Sequence, residues 1–125
     1  MKPTILIVED NRALAMALAA KAAHWGFKTE LAPTLTLAKK ALAKIRPDVV
    51  LFDLGLPDGS GMELLNEELP HAAIITAHGE LDYAIAAKKA GVNEFFVKPV
   101  DFEQFTEAVH TLGLYWLLLN QPPAI

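Results

Sequence analysis

Thr4-Ile5-Leu6-Ile7-Val8-Glu9-Asp10 is a strand-forming run, rich in β-branched side chains, that ends abruptly in two carboxylates. Three further runs end in the same way: Val49-Val50-Leu51-Phe52 before Asp53, Ala73-Ile74-Ile75 before Thr76, and Phe95-Phe96-Val97 before Lys98. Strands that are apolar throughout, rather than alternating, belong to sheets covered on both faces, and in such parallel sheets the carboxyl ends share one edge. The sequence therefore predicts that three carboxylates, a hydroxyl and an ammonium converge there. That set suits a cation together with a phosphoryl group.

Between these runs lie longer alanine-rich segments, and the alternation reads as (βα)5. Strands are predicted at 4–8, 27–32, 48–53, 72–76 and 94–97, and helices at 11–24, 34–44, 60–67, 81–90 and 101–119. Asn11 can cap the first helix, which carries Leu14, Leu18 and Ala22 at helical spacing before Gly26 stops it. Thr34 can cap the second, and Pro47 bars it from running into strand three. Gly55, Pro57, Gly59 and Gly61 make the segment after Asp53 a structured loop.

The chain has 125 residues, enough for one domain with a single core. A 53% hydrophobic and 21% charged composition argues against disorder. The net charge of -4 argues against direct nucleic-acid binding, which wants a basic face, so the expected partners are proteins. With no cysteine, thiol nucleophiles, disulfides and cysteine zinc sites are excluded. No stretch reaches transmembrane length and Met1-Lys2-Pro3 leads straight into a strand, so no membrane role is expected and the cytoplasm is the expected compartment.

Four motifs now stand in order: Val8-Glu9-Asp10, the run Asp53-Leu54-Gly55-Leu56-Pro57-Asp58-Gly59-Ser60-Gly61, Thr76-Ala77, and Lys98-Pro99. Together they resemble the receiver (CheY-like) domain of two-component response regulators, a likeness that spans residues 4 to 118. The resemblance implies a flavodoxin-like three-layer sandwich around a parallel five-stranded sheet of order 2-1-3-4-5. It places the domain at residues 1–119, with 120–125 a short tail.

An aspartate can act as a nucleophile toward phosphorus if the charge on the transferring group is neutralised. Asp53 is the candidate phospho-acceptor, against the plainer reading of a strand-end aspartate that caps a turn. Magnesium prefers oxygen ligands, and Asp10 and Asp53 would supply its carboxylates. By resemblance the Gly55 carbonyl is a third Mg2+ ligand and Glu9 acts through water. Lys98 would pair with phosphoryl oxygens and Thr76 would donate its hydroxyl to them. The family also implies a cis Lys98-Pro99 bond, open access beside the small Ala77, and an aromatic switch at Phe95, with Phe96 on the opposite face free to join the core. Gly55 and His78 occupy positions that tune dephosphorylation in the family. His24, His71 and His110 lack ligand spacing and read as surface or helix-end residues; the donor histidine belongs to a histidine kinase or phosphotransfer protein.

Function divides three ways at this level. A phospho-acceptor switch, which is no enzyme beyond its own phosphorylation and slow dephosphorylation, uses every site residue, whether as a stand-alone receiver or as the N-terminal part of a larger transcriptional regulator. An aspartyl-phosphate phosphatase of the haloacid-dehalogenase type wants a second aspartate two positions after the nucleophile, where Gly55 stands. A binding module without phosphotransfer would not need the full set.

In the fifth helix Phe102, Phe105, Val109 and Leu112 are spaced like one face, but residues 114–119, with Tyr115, Trp116 and Leu119 among them, are apolar all round. One stripe against a sheet cannot bury them, so a homodimer or a docking surface on this helix is expected. Light-scattering mass is expected to read a dimer for the parent and a monomer for Trp116→Ala; a monomer in both removes the dimer.

Overall fold

Alternation along each strand decides which side chain enters which layer. A computed structural model of the chain describes residues 2–66, 71–76 and 93–120, except for the side chains of residues 65, 66, 76, 94, 95 and 112–120. Its main strands are β1 (Thr4–Val8), β2 (Lys28–Ala32), β3 (Val49–Asp53), β6 (Ala72–Thr76) and β7 (Glu94–Val97). They form one parallel sheet of order β2-β1-β3-β6-β7, the five-stranded flavodoxin-like arrangement expected.

Successive residues of β1 and β3 go to opposite sides. Leu6, Val8, Val50 and Phe52, with Ala72 and Ile74 of β6, face α2 (Leu35–Lys44) through Leu35 and Ala38. Ile5, Ile7, Val49 and Leu51, with Ala73 and Ile75, face α1 (Arg12–His24) and α3 (Phe102–Asn120) through Leu18, Ala22, Phe105 and Val109. Phe96 joins this second layer and meets Phe105 edge-on, with ring centroids 5.5 Å apart. Each such fully buried large side chain contributes about 1.5–3 kcal/mol. The edge strand β2 begins with Lys28, Thr29 and Glu30, a polar run that discourages further strand pairing.

The two expected caps form: the Leu14 N–H donates to Asn11 Oδ1 at 3.0 Å, and the Leu37 N–H donates to Thr34 Oγ1 at 3.1 Å. Gly26, at φ +94°, turns the chain out of α1 in the left-handed region that glycine enters without strain. The segment after Asp53 carries more structure than a loop. Gly55–Leu56 (β4) and Gly59–Ser60 (β5) pair as a small antiparallel hairpin, with Pro57 and Asp58 at its tip.

Two expectations shift. The third helix is a 3-10 helix over Gly61–Asn66 rather than an α-helix, as is common for short connectors. Phe102 begins the apolar stripe of α3 yet is 37% exposed, whereas Phe105 and Val109 of the same stripe are buried in the second layer. The helix expected at 81–90 and the tail from residue 121 lie outside the described residues.

The tip of the hairpin is held by α2. Asp58 Oδ1 accepts from the Leu35 N–H at 2.7 Å, while Oδ2 accepts from the Thr36 N–H at 2.9 Å and the Thr36 hydroxyl at 2.7 Å. These bonds, those from Thr36 foremost, lower the Asp58 carboxyl from its ordinary 3.8 to about 2. A pKa lowered by folding means that the stabilisation is complete above pH 3.8 and is lost as pH falls toward 2. The thermal midpoint of Asp58→Asn is expected to lie below that of the parent near neutrality, and the gap to close between those two pH values in parallel melts. A gap that persists unchanged at pH 2 contradicts this account.

Candidate phosphoryl and cation site

Parallel strands buried on both faces can expose polar groups only at their ends, and β1 and β3 end side by side because Val8 and Phe52 are in register. Glu9 and Asp10 follow β1, Asp53 ends β3, and Lys98 follows β7. Glu9 and Asp53 are 2% and 4% exposed, so neither charge is left to water and both need partners.

Lys98 is the partner of both. Its Nζ donates to Asp53 Oδ2 at 2.7 Å and stands 2.9 Å from Glu9 Oε1. Burial alone would lower the Lys98 ammonium, but the Asp53 hydrogen bond and the Glu9 carboxylate outweigh it and hold its pKa above the ordinary lysine value. The other Asp53 oxygen, Oδ1, accepts the Gly55 N–H at 3.0 Å, so both oxygens are held and the plane of the carboxylate is fixed. Glu9 Oε2 accepts the Asn11 N–H at 3.0 Å. Burial pushes the Glu9 carboxyl upward, with Asp10 and Asp53 adding to that and Asn11 and Lys98 opposing it.

The residues present fit a hard divalent cation. One ligand oxygen each from Glu9, Asp10 and Asp53 lies within 4.8 Å of the others, and among the described residues the Lys98 ammonium stands with them. Glu9 Oε1 is buried, and among the described residues its partner is the Lys98 ammonium at 2.9 Å. An all-oxygen donor set carrying surplus negative charge matches magnesium, which is bound by one or two carboxylates and keeps several waters.

Gly61 shapes the floor of this edge. Its N–H donates to the Leu54 carbonyl at 3.0 Å, and a Cβ there would overlap the Asp53 carbonyl oxygen and come within 2.9 Å of the Phe52 ring. Of the remaining predicted positions, Thr76 ends β6 with its backbone in register with Val97, and Phe95 sits opposite Ile74. The Lys98-Pro99 bond is cis. The side chains of Thr76, Phe95, Tyr115, Trp116 and Leu119, and the whole of Ala77 and His78, lie outside the described residues. Sequence reading missed the stacking of Trp25 on His110, whose rings lie 4.1 Å apart at 24° and tie the end of α1 to α3. Nothing in local spacing announces a contact between such distant positions.

A parallel α/β domain with an acidic strand-end cluster bridged by one lysine defines a class of site, one built for a cation and an anionic group. The family is then fixed by comparison: residues 5–110 match the response regulator receiver domain model, and the chain belongs to that family. It is 34% identical over 115 residues to the photosynthetic apparatus regulatory protein RegA of Rhodobacter capsulatus, a match that covers 88% of this chain and 62% of RegA. The chain thus spans less than two thirds of that relative's length. Sporulation initiation phosphotransferase F of Bacillus subtilis is 33% identical over 114 residues, covering 87% of this chain and 92% of that protein. A receiver domain protein from Clostridium thermocellum superposes with a TM-score of 0.80 at 27% identity, covering 94% of this chain and 98% of that one.

Gly61→Ala is expected to cost about 1–3 kcal/mol or more, because the added methyl group displaces either the Asp53 carbonyl or the Phe52 ring. Urea unfolding measures this; a variant as stable as the parent sinks the steric reading.

Proposed function

We propose that this receiver domain accepts a phosphoryl group on Asp53 from the phosphohistidine of a histidine kinase or phosphotransfer protein, in a magnesium-dependent reaction that switches a protein-interaction surface. The observation that carries this reading is the contact set of Lys98, which reaches Asp53 Oδ2 at 2.7 Å and Glu9 Oε1 at 2.9 Å, within the same acidic cluster as Asp10.

In the transfer an Asp53 carboxylate oxygen forms a bond to phosphorus as the bond from phosphorus to the donor's imidazole nitrogen breaks, and the electron pair leaves with that nitrogen. Asp10, Asp53 and the Gly55 carbonyl would hold Mg2+, with Glu9 acting through water. When bound, the ion supplies charge neutralisation to the phosphoryl oxygens. Lys98 neutralises a further oxygen as a compact point charge, and Gly55 N–H fixes the second Asp53 oxygen so that the nucleophile keeps one orientation.

Thr76 donates its hydroxyl to the transferred group, and Phe95 follows it as the switch residue. Gly55 and His78 set the rate of dephosphorylation. The switched surface includes the last helix, where Tyr115, Trp116 and Leu119 form a homodimer or docking face. The receiver unit is residues 1–119, and it acts through a partner protein. The domain is a switch and not an enzyme with turnover on an external substrate. No helix among the described residues is long and apolar enough to cross a membrane.

Incubation with acetyl phosphate and magnesium, followed by intact mass, is expected to add one phosphoryl group to the parent and none to Asp53→Asn, and chelation of the metal is expected to abolish the adduct. An equal adduct in Asp53→Asn, or none in the parent, overturns this reading; rapid multiple turnover of a phosphoester would point to a phosphatase instead.

A further inference from the structure

Asp58 lies in the loop motif but has no part in the acidic cluster, and its carboxylate is spent entirely on another element. It caps the amino end of α2 from a position 23 residues further along the chain, satisfying the Leu35 and Thr36 N–H groups while Thr34 satisfies Leu37. An anionic group at a helix amino terminus is also favoured by the helix dipole. α2 is therefore capped twice, once by its own preceding residue and once by the tip of the hairpin that follows Asp53.

The hairpin needs this anchor more than the helix does. Each of its strands is two residues long, with Leu56 opposite Gly59 and Gly55 opposite Ser60. A two-stranded hairpin of ordinary length is marginal in water by itself, and one this short cannot hold its own register. Its base is fixed by Gly55 N–H on Asp53 Oδ1 and by Gly61 N–H on the Leu54 carbonyl. Its far end is fixed to α2. Besides the three Asp58 bonds, Gly59, at φ +153°, packs so closely that a Cβ there would come within 2.9 Å of the Leu35 side chain. The Gly55 carbonyl therefore follows directly on the base anchor, which its own N–H makes, and leads into the strand that runs to the anchored tip.

We propose that Asp58 is a positioning residue for the magnesium site: by pinning the hairpin tip to α2 it holds Gly55, and with it the carbonyl offered to the ion, in place beside Asp53. The proposal rests on the magnesium reading above and adds a residue to it that makes no contact with the ion. It also assigns α2 a task at the site, that of an anvil for the hairpin, although the helix contributes no ligand.

The test separates positioning from general stability. Calorimetric titration with magnesium chloride, well below the thermal midpoints, compares the parent with Asp58→Ala and with Thr34→Ala, which removes the other cap of the same helix without touching the hairpin. Asp58→Ala is expected to bind the ion more weakly, on the order of tenfold, as supporting groups around metal sites do when removed. Thr34→Ala is expected to lose thermal stability and keep the parent's affinity. Asp58→Asn, which retains one acceptor oxygen, is expected to fall between and serves if the alanine variant does not fold. An affinity in the Asp58 variants equal to the parent's, or an equal loss in Thr34→Ala, overturns the proposal while leaving the magnesium site standing. A parent that takes up no magnesium overturns the site itself and the proposal with it.

Discussion

A strand covered on both faces has only its ends on which to place a charge, and the rest of this structure follows from that constraint. β1 from Ile5 to Val8 and β3 from Val49 to Phe52 are apolar throughout because helices lie against both of their faces, and Glu9, Asp10 and Asp53 stand at their neighbouring carboxyl ends. Even there two of the three are buried. Lys98, delivered by β7 from two strands away, is what allows Glu9 and Asp53 to stand so close. One ammonium cannot neutralise three carboxylates, so among the described residues the cluster keeps surplus negative charge. Functional sites often retain this kind of local conflict while the surrounding core carries the stability.

Much of this was legible from residue order. Continuous apolar runs told buried parallel strands from half-exposed ones, and the polar residues after three of those runs, Glu9 and Asp10, Asp53, and Lys98, do meet at one edge. Asn11 and Thr34 were legible as caps because capping acts over three residues, within reach of local reading. Phe96 fell in the core for the same reason that its neighbours alternate along the strand.

The parts that stayed hidden are those made by contacts distant in sequence. Asp58 reads as an ordinary turn residue until the fold brings α2 to it. The hairpin around it is too short to give any periodic signal, and glycines at 55, 59 and 61 suggest a loop as readily as paired strands. The 3-10 form of residues 61–66 was equally invisible, since a few residues of helix carry the same pattern in either form. Trp25 and His110 show the limit most plainly: one looks like a stray aromatic at a helix end, the other like a surface histidine, and only the packing of α1 beside α3 makes them a pair.

The strand order has a consequence for the way the molecule is made. β1 lies between β2 and β3, so the first 53 residues already contain three neighbouring strands together with α1 and α2, and all of these are synthesised before the remainder of the sheet and before α3, which completes the second layer. That half brings Glu9 and Asp53 together, but the lysine that reconciles them is 45 residues further along the chain than Asp53. The counter-charge that Glu9 and Asp53 share is therefore synthesised late, directly after β7, the strand that completes the sheet.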